Sequence, residues 1–312
     1  MDRRPLGRSE LVIEPWVLGT NVFGWTVDEA GAFAVLDAYV DHGFTAIDTA
    51  EGYPNWVPGN PPGMSETIIG KWLKARGNRD KVQVYTKVNS AKNADGLSAA
   101  AIPEAVEASL KRLQTDYIDL YFSHWPDETA HEETLGAYDT LIRAGKVRVI
   151  GASNYDSKML REAQEVAVIK SLTRYEVVQP LYNLYDREPF ESDLVPVLEE
   201  LELGAIVYFS LGAGFLTGKY RSKDDLANSQ RGGRVERYLD EKGFAILAAL
   251  DAVAGETGAS QAEVALGWLA QRPGVTAPIA SATSVKQVES LARGVRLKLS
   301  DEQMRRLTDA GR

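Results

Sequence analysis

Residues 82–121 read as strand, helix, strand. Val82-Gln83-Val84-Tyr85 is a short β-branched and aromatic run, Ile102, Val106, Leu110 and Leu113 share one helical face, and Tyr117-Ile118-Asp119-Leu120-Tyr121 is a second apolar run. Working outward, the alternation continues. Trp16-Val17-Leu18-Gly19 and Phe44-Thr45-Ala46-Ile47 lie before it; Val147–Ile150, Glu176–Gln179, Ala205–Tyr208 and Val275–Ile279 lie after it. Helical spacing separates them, as in Phe33, Leu36 and Val40 and in Leu194, Val197, Leu198 and Leu201. The strands are short and apolar throughout, as strands covered on both faces are. Thr26 with Glu29, Ser260 with Glu263, Ser284 with Gln287 and Ser300 with Gln303 fit the capping box. Gly43, Gly77, Gly145 and Gly204 stand where helices should stop.

The fold class expected from this pattern is α/β: a single (β/α)8 TIM barrel, residues 1–312 forming one domain. A short β-hairpin from Leu6 to Ile13, turning at Gly7-Arg8-Ser9, precedes it, and extra helices lie near the C-terminus. A doubly wound sheet usually opens with Gly-x-Gly-x-x-Gly after its first strand, and no such run follows here. The segment Gly212 to Leu239 is long, polar and arginine-rich, the kind of loop that carries function.

Composition narrows the function. Lys and Arg number 35 against 44 Asp and Glu, a net charge of −9, so a global basic footprint for nucleic acid is missing. There is no cysteine, which excludes disulfides, thiolate nucleophiles and Cys-ligated metals, and three histidines argue against a His-rich metal site. No apolar run approaches the ~18 residues that span a bilayer, and Met1 to Ser9 lacks the apolar core of a signal peptide. The expectation is a cytoplasmic enzyme with no membrane or nucleic-acid partner; oligomeric state stays open.

In such a barrel the chemistry sits at the C-terminal ends of the strands. Those ends, with the loops after them, offer Asp48, Tyr53, Lys87, His124, Ser153-Asn154, Gln179 and Tyr208. The stretches Ile47–Tyr53, Thr86-Lys87, Ser123-His124-Trp125-Pro126, Gly145–Asn154, Gln179–Leu184 and Gly214–Tyr220 resemble the aldo-keto reductase family, in order and spacing, across essentially the whole chain. Glu132-Glu133-Thr134-Leu135 and Gly214–Tyr220 are similar to the bacterial branch related to potassium-channel β subunits. The resemblance implies reversible reduction of aldehydes and ketones to alcohols by a nicotinamide nucleotide.

The residue types suit that chemistry. A carbonyl that takes a hydride becomes an alkoxide and needs a proton, which Tyr53 can give. An unperturbed phenol, near pKa 10, is too weak an acid at neutral pH, so a cation, Lys87, is expected to lower it, with Asp48 orienting the lysine. His124 can donate a hydrogen bond to the carbonyl oxygen. The resemblance gives these four residues the same roles. It also implies nicotinamide contacts from Ser153, Asn154 and Gln179, with Tyr208 as a stacking face. The cofactor set is completed by Gly19, Thr20 and Asn21 after the first strand and by Phe209, Ser210, Leu211, Gly212 and Gly214 in a backbone-rich turn. Lys219 and Arg231 are the expected charge partners of the pyrophosphate, with Arg234 able to replace Arg231. Ala280, Ser281, Thr283 and Gln287 lie toward the adenosine end.

Many members of the family carry Arg or Lys around positions 281, 283 or 287; this chain has Ser281, Thr283 and Gln287, and Ser290 and Leu291 replace an acidic-then-amide pair. NADP(H) is therefore expected to be favoured only modestly, with NAD(H) also admitted. Trp25, Trp56 and Trp125 are expected to line a substrate pocket for a small carbonyl or alcohol. The chain stops soon after a helix at Asp301–Asp309, which suggests an open pocket. Two other functions compete: a nucleotide-binding regulatory protein with slow catalysis, and a Schiff-base aldolase using Lys87. The second is disfavoured because a lysine paired with Asp48 stays protonated.

Overall fold

The computed structural model describes residues 2–228 and 232–312. β1 (Arg4–Pro5) and β2 (Val12–Ile13) pair antiparallel, with Arg4 opposite Ile13, and form the expected hairpin. Eight parallel strands follow: β3 (Val17–Gly19), β4 (Ala46–Asp48), β5 (Gln83–Val88), β6 (Ile118–Ser123), β7 (Val147–Ser153), β8 (Val177–Gln179), β9 (Gly204–Val207) and β10 (Ala277–Ala280). Each pairs with the next, and β10 returns to pair with β3, so the barrel is closed. The expected strand segments all fall on these staves.

Helices α1 (Glu29–Asp41), α2 (Met64–Arg76), α3 (Ala101–Leu113), α4 (His131–Arg143) and α5 (Ser157–Lys170) follow β3 to β7 in turn, and α6 (Val195–Leu201) follows β8. After β9 come α7 (Gly232–Val235), α8 (Glu241–Thr257) and α9 (Gln261–Ala270). Then α10 (Val285–Gly294) follows β10, and α11 (Asp301–Ala310) packs on α8 as an extra helix. Among the described residues no helix is long and apolar enough to cross a membrane.

The pleat decides what enters the barrel. Side chains two apart share a face. Val17, Ala46, Tyr85, Leu120, Phe122, Val149, Val177, Ile206 and Ala277 fill the interior, and Leu6, Leu11 and Ile13 of the hairpin segment join them as its floor. The same parity, carried to the strand ends, gives Gly19, Asp48, Lys87, His124, Ser153, Gln179, Tyr208 and Ser281. Gly151 on β7 makes room for Phe122, because a Cβ there would lie 2.4 Å from that ring. Arg4 donates to the carbonyl of Thr276 (3.0 Å), tying the hairpin to the approach to β10.

Three local expectations change. α1 is capped by Asp28, whose carboxylate accepts from Gly31 N–H at 2.8 Å, so Thr26 lies outside the helix; its buried face is Ala32, Val35, Leu36 and Tyr39, with Phe33 and Val40 only half-buried. Ser260 and Ser300 make full capping boxes, but Gln287 turns back to Thr283 and leaves Ser284 with half of one. Gly204 does not end α6, since Glu202 takes the left-handed position at φ 54°. Gly204 opens β9, where a Cβ would sit 2.7 Å from Gly7 N and block the hairpin.

Candidate active site

The strand ends surround a cavity of about 940 Å³, within the size range of ligand pockets. Asp48 ends β4 and Lys87 stands near the end of β5, both buried and both pointing inward. Lys87 Nζ donates to Asp48 Oδ1 (2.8 Å) and Oδ2 (2.7 Å) and to the Thr49 carbonyl (2.7 Å). Three acceptors match the three protons of an ammonium. Gln179 Nε2 also donates to Asp48 Oδ1, at 2.8 Å. Burial pushes the Asp48 carboxyl up and the Lys87 ammonium down, while their mutual attraction opposes both shifts.

Tyr53 lies in the loop after β4. Its ring packs edge-on to Trp56 and to His124, with centroids 5.9 Å away in each case. Lys87 Nζ is 5.1 Å from the Tyr53 centroid. Burial, and next the Asp48 charge, hold the phenol above its ordinary range, and Arg234 is the group that pulls it down. Lys87, expected to acidify Tyr53, has its ammonium protons turned to Asp48 and the Thr49 carbonyl, and the Asp48 charge works against the lysine's effect on the phenol.

His124 follows β6. Its Nδ1 is 2.9 Å from Ser90 Oγ, its carbonyl accepts from Asn154 Nδ2 (2.9 Å), and its ring stacks on Trp125. Burial first, then the Lys87 and Lys92 charges, hold the imidazole well below its usual range, so it is neutral near pH 7. Lys92 Nζ lies 3.5 Å from the Trp125 ring centroid.

Ser153, Asn154, Gln179 and Tyr208 line the cavity together. They are already linked: Ser153 Oγ donates to the Gln179 carbonyl (2.9 Å), and the Tyr208 hydroxyl donates to Asn154 Oδ1 (2.7 Å). Gly19, Thr20 and Asn21 line it too, although the Thr20 hydroxyl donates to the Asp48 carbonyl. Phe209, Ser210, Leu211 and Gly214 line the next section, with Lys219 beside Gly214. Positive φ at Phe209, Gly212, Ala213 and Gly214 bends this backbone into a tight concave turn, the kind of surface that accepts anions. Ala280, Ser281, Thr283 and Gln287 close the far end. There Ser281 Oγ donates to Asn21 Oδ1 (2.9 Å), and Gln287 Oε1 accepts from Thr283 N (2.8 Å).

Some expected positions fall outside this group. Gly212 shapes the turn but is not a lining residue, and Trp25 packs edge-on behind Trp56 (5.6 Å) rather than facing the cavity as Trp56 and Trp125 do. Arg231 lies outside the described residues. Thr26, Ala213, Thr217, Ser260 and Ala262 line the cavity without having been expected, and Ser290 and Leu291 do so despite breaking the familiar pattern. Only chain folding brings Ser260 and Ala262 here, through the N-terminus of α9; the local sequence marks Ser260 as a helix cap but neither residue as a cavity residue.

The family model described as Aldo/keto reductase family matches residues 15–312. The chain is 35% identical to "Uncharacterized oxidoreductase YrpG" of Bacillus subtilis, over 99% of this chain and 95% of that protein. It is 34% identical to "Probable voltage-gated potassium channel subunit beta" of Oryza sativa subsp. japonica, over 92% and 89% of the two chains. It is 30% identical to "Norsolorinic acid reductase B" of Aspergillus parasiticus, over 97% and 82%.

Proposed function

Since this chain belongs to the aldo/keto reductase family, we propose that it interconverts aldehydes or ketones and their alcohols with NADP(H), and less well with NAD(H). The observation that carries the reading is the convergence of Tyr53 and His124 on one cavity beside the buried Lys87–Asp48 pair. The donor set fits a dinucleotide. Amides and a hydroxyl stand at the strand ends, a concave backbone turn with Lys219 follows, and hydroxyls lie at the start of α10.

When bound, the reduced nicotinamide supplies the hydride for the carbonyl carbon. Tyr53 gives its proton to the carbonyl oxygen as that oxygen gains negative charge, and the phenol regains a proton from solvent. The neutral His124, with Nδ1 held by Ser90, offers Nε2 to the same oxygen. Lys87 and Asp48 fix one another and set the field around the phenol. Ser153, Asn154, Gln179 and Tyr208 hold the nicotinamide end, and Trp56 and Trp125 flank the substrate.

A panel of aldehydes and ketones, followed by NADPH and NADH absorbance in parallel, tests the proposal. Turnover below about 10⁻³ s⁻¹ on every substrate, against the usual 1–10³ s⁻¹ of enzymes, would favour the regulatory role that the potassium-channel relative's name suggests. A borohydride-trapped Lys87 adduct formed without nucleotide would favour the aldolase.

A further inference from the structure

Arg234, on α7, faces the cavity from the substrate side. Its guanidinium carbon lies 5.5 Å from the Trp56 ring centroid and 5.9 Å from that of Trp25, and Trp56 itself touches Tyr53 edge-on. The other cation that lines the cavity, Lys219, stands at the Gly214 turn. The two charges therefore serve different ends.

Among the described residues neither cation has a carboxylate partner. Asp48 is the one acidic residue among those lining the cavity, and Lys87 holds both of its oxygens. The acids near α7 are taken elsewhere: Glu236 pairs with Lys223 and Asp186 with Arg237. Among the described residues no carboxylate pairs with Arg234. A chain of net charge −9 thus keeps an uncompensated guanidinium at the rim of its reaction pocket. A guanidinium lying over an indole uses its face there, and its in-plane N–H groups stay available for a planar oxyanion.

We propose that Arg234, braced on Trp56, is a subsite for the carboxylate of an aldehydo- or keto-acid substrate, whose carbonyl end reaches Tyr53 and His124. The proposal rests on the carbonyl-reductase reading above and deepens it by naming a substrate class. The field that Arg234 exerts on Tyr53 is consistent with this closeness. A carboxylate bound there also holds the substrate at a second point, which fixes the carbonyl's orientation.

The test compares 4-carboxybenzaldehyde with its methyl ester, using the full-length protein with NADPH. The wild type should favour the acid in kcat/KM by about tenfold or more, the scale of one charge-assisted hydrogen-bonded pair, and added salt should shrink the ratio. Arg234→Gln should bring the acid-to-ester ratio close to one, mainly through KM for the acid, and Arg234→Lys should restore part of it. Using the ratio cancels any effect of Arg234 on Tyr53 that both substrates share. Equal use of acid and ester by the wild type would overturn the subsite. So would a large rise in NADPH Kd in Arg234→Gln with the ratio unchanged, which would assign Arg234 to the nucleotide. If neither aldehyde is reduced, the reductase reading fails, and benzoate binding followed by tryptophan fluorescence still decides the subsite. Quenching that Arg234→Gln abolishes supports it; no binding, or binding unchanged in the variant, overturns it.

Discussion

Lys87 Nζ lies 2.8 and 2.7 Å from the two carboxylate oxygens of Asp48, with both side chains buried. Removing one partner of such a pair strands a charge and costs about 3–5 kcal/mol. Lys87→Met should therefore destabilise the protein on that scale, and adding Asp48→Asn should recover part of the loss. Urea denaturation of the two variants checks this. A double variant no more stable than Lys87→Met would mean that the stranded carboxylate is not the cause.

Tyr53→Phe should lower kcat/KM for carbonyl reduction by about 10²–10⁴, the usual contribution of a general acid, and leave nucleotide affinity within a few-fold. In the proposed mechanism Tyr53, Lys87 and Asp48 work together, so combining Tyr53→Phe with Lys87→Met should cost little more than the worse single change. Fully additive losses would mean that the two residues act separately, and near wild-type turnover in Tyr53→Phe would remove Tyr53 from this role.

His124 gives a pH signature. Burial, then the Lys87 and Lys92 charges, depress its folded pKa well below the ordinary value, while the unfolded chain titrates near 6.5. Between those two values the unfolded state binds more protons, so stability rises with pH there and levels off above about 6.5. Thermal melts of wild type and His124→Asn across this range should show a stability difference that grows with pH and then becomes flat. A difference independent of pH would contradict a neutral buried imidazole.

The donors proposed to meet the adenosine end are already engaged with neighbours: Ser281 Oγ with Asn21 and Thr283 N–H with Gln287. A 2′-phosphate gains their hydrogen bonds only by displacing these partners. The expected preference for NADPH over NADH is about 5–30-fold, or roughly 1–2 kcal/mol, the scale of one or two neutral hydrogen bonds. Thr283→Arg should tighten NADPH binding and make it more salt-dependent. Fluorescence titration at two salt concentrations measures both, and tighter NADH binding by the wild type would reverse the assignment.

Gly151→Ala should destabilise by about 1–3 kcal/mol through overpacking, since its Cβ would lie 2.4 Å from the Phe122 ring. Phe122→Leu in the same chain should relieve only part of the clash, because the Cβ would also lie 2.8 Å from the Val177 carbonyl oxygen. An Ala variant as stable as wild type would show that β6 and β7 yield at this contact.

The sequence carried the strand pattern because parallel strands covered on both faces must be apolar, and reading the C-terminal strand ends then gave Asp48, Lys87 and Gln179; the pleat parity that turns them inward is seen in the structure. What it did not carry were partners set by tertiary contact. Asp28 displaced Thr26 as a cap by reaching Gly31 N–H, and Gly204 was kept for the backbone of Gly7, not for a helix end. Around Lys87 the two Asp48 oxygens were expected, but the third acceptor, the Thr49 carbonyl, belongs to this second class, being a backbone atom that no side-chain pattern marks. Trp25 and Trp56 looked alike in sequence, and only the tertiary fold, which brings Trp56 and not Trp25 to the cavity wall, separates them.

The ring is sealed where β10 meets β3, with Arg4 reaching across to the Thr276 carbonyl. On the ribosome, every earlier stave is made before its last neighbour exists. Until residues 277–280 emerge, β3 and β9 each present an open hydrogen-bonding edge, the kind of surface that recruits foreign strands. The hazard of this architecture is thus concentrated in the interval of synthesis before the final stave arrives, and a pause in translation ahead of β10 would lengthen it.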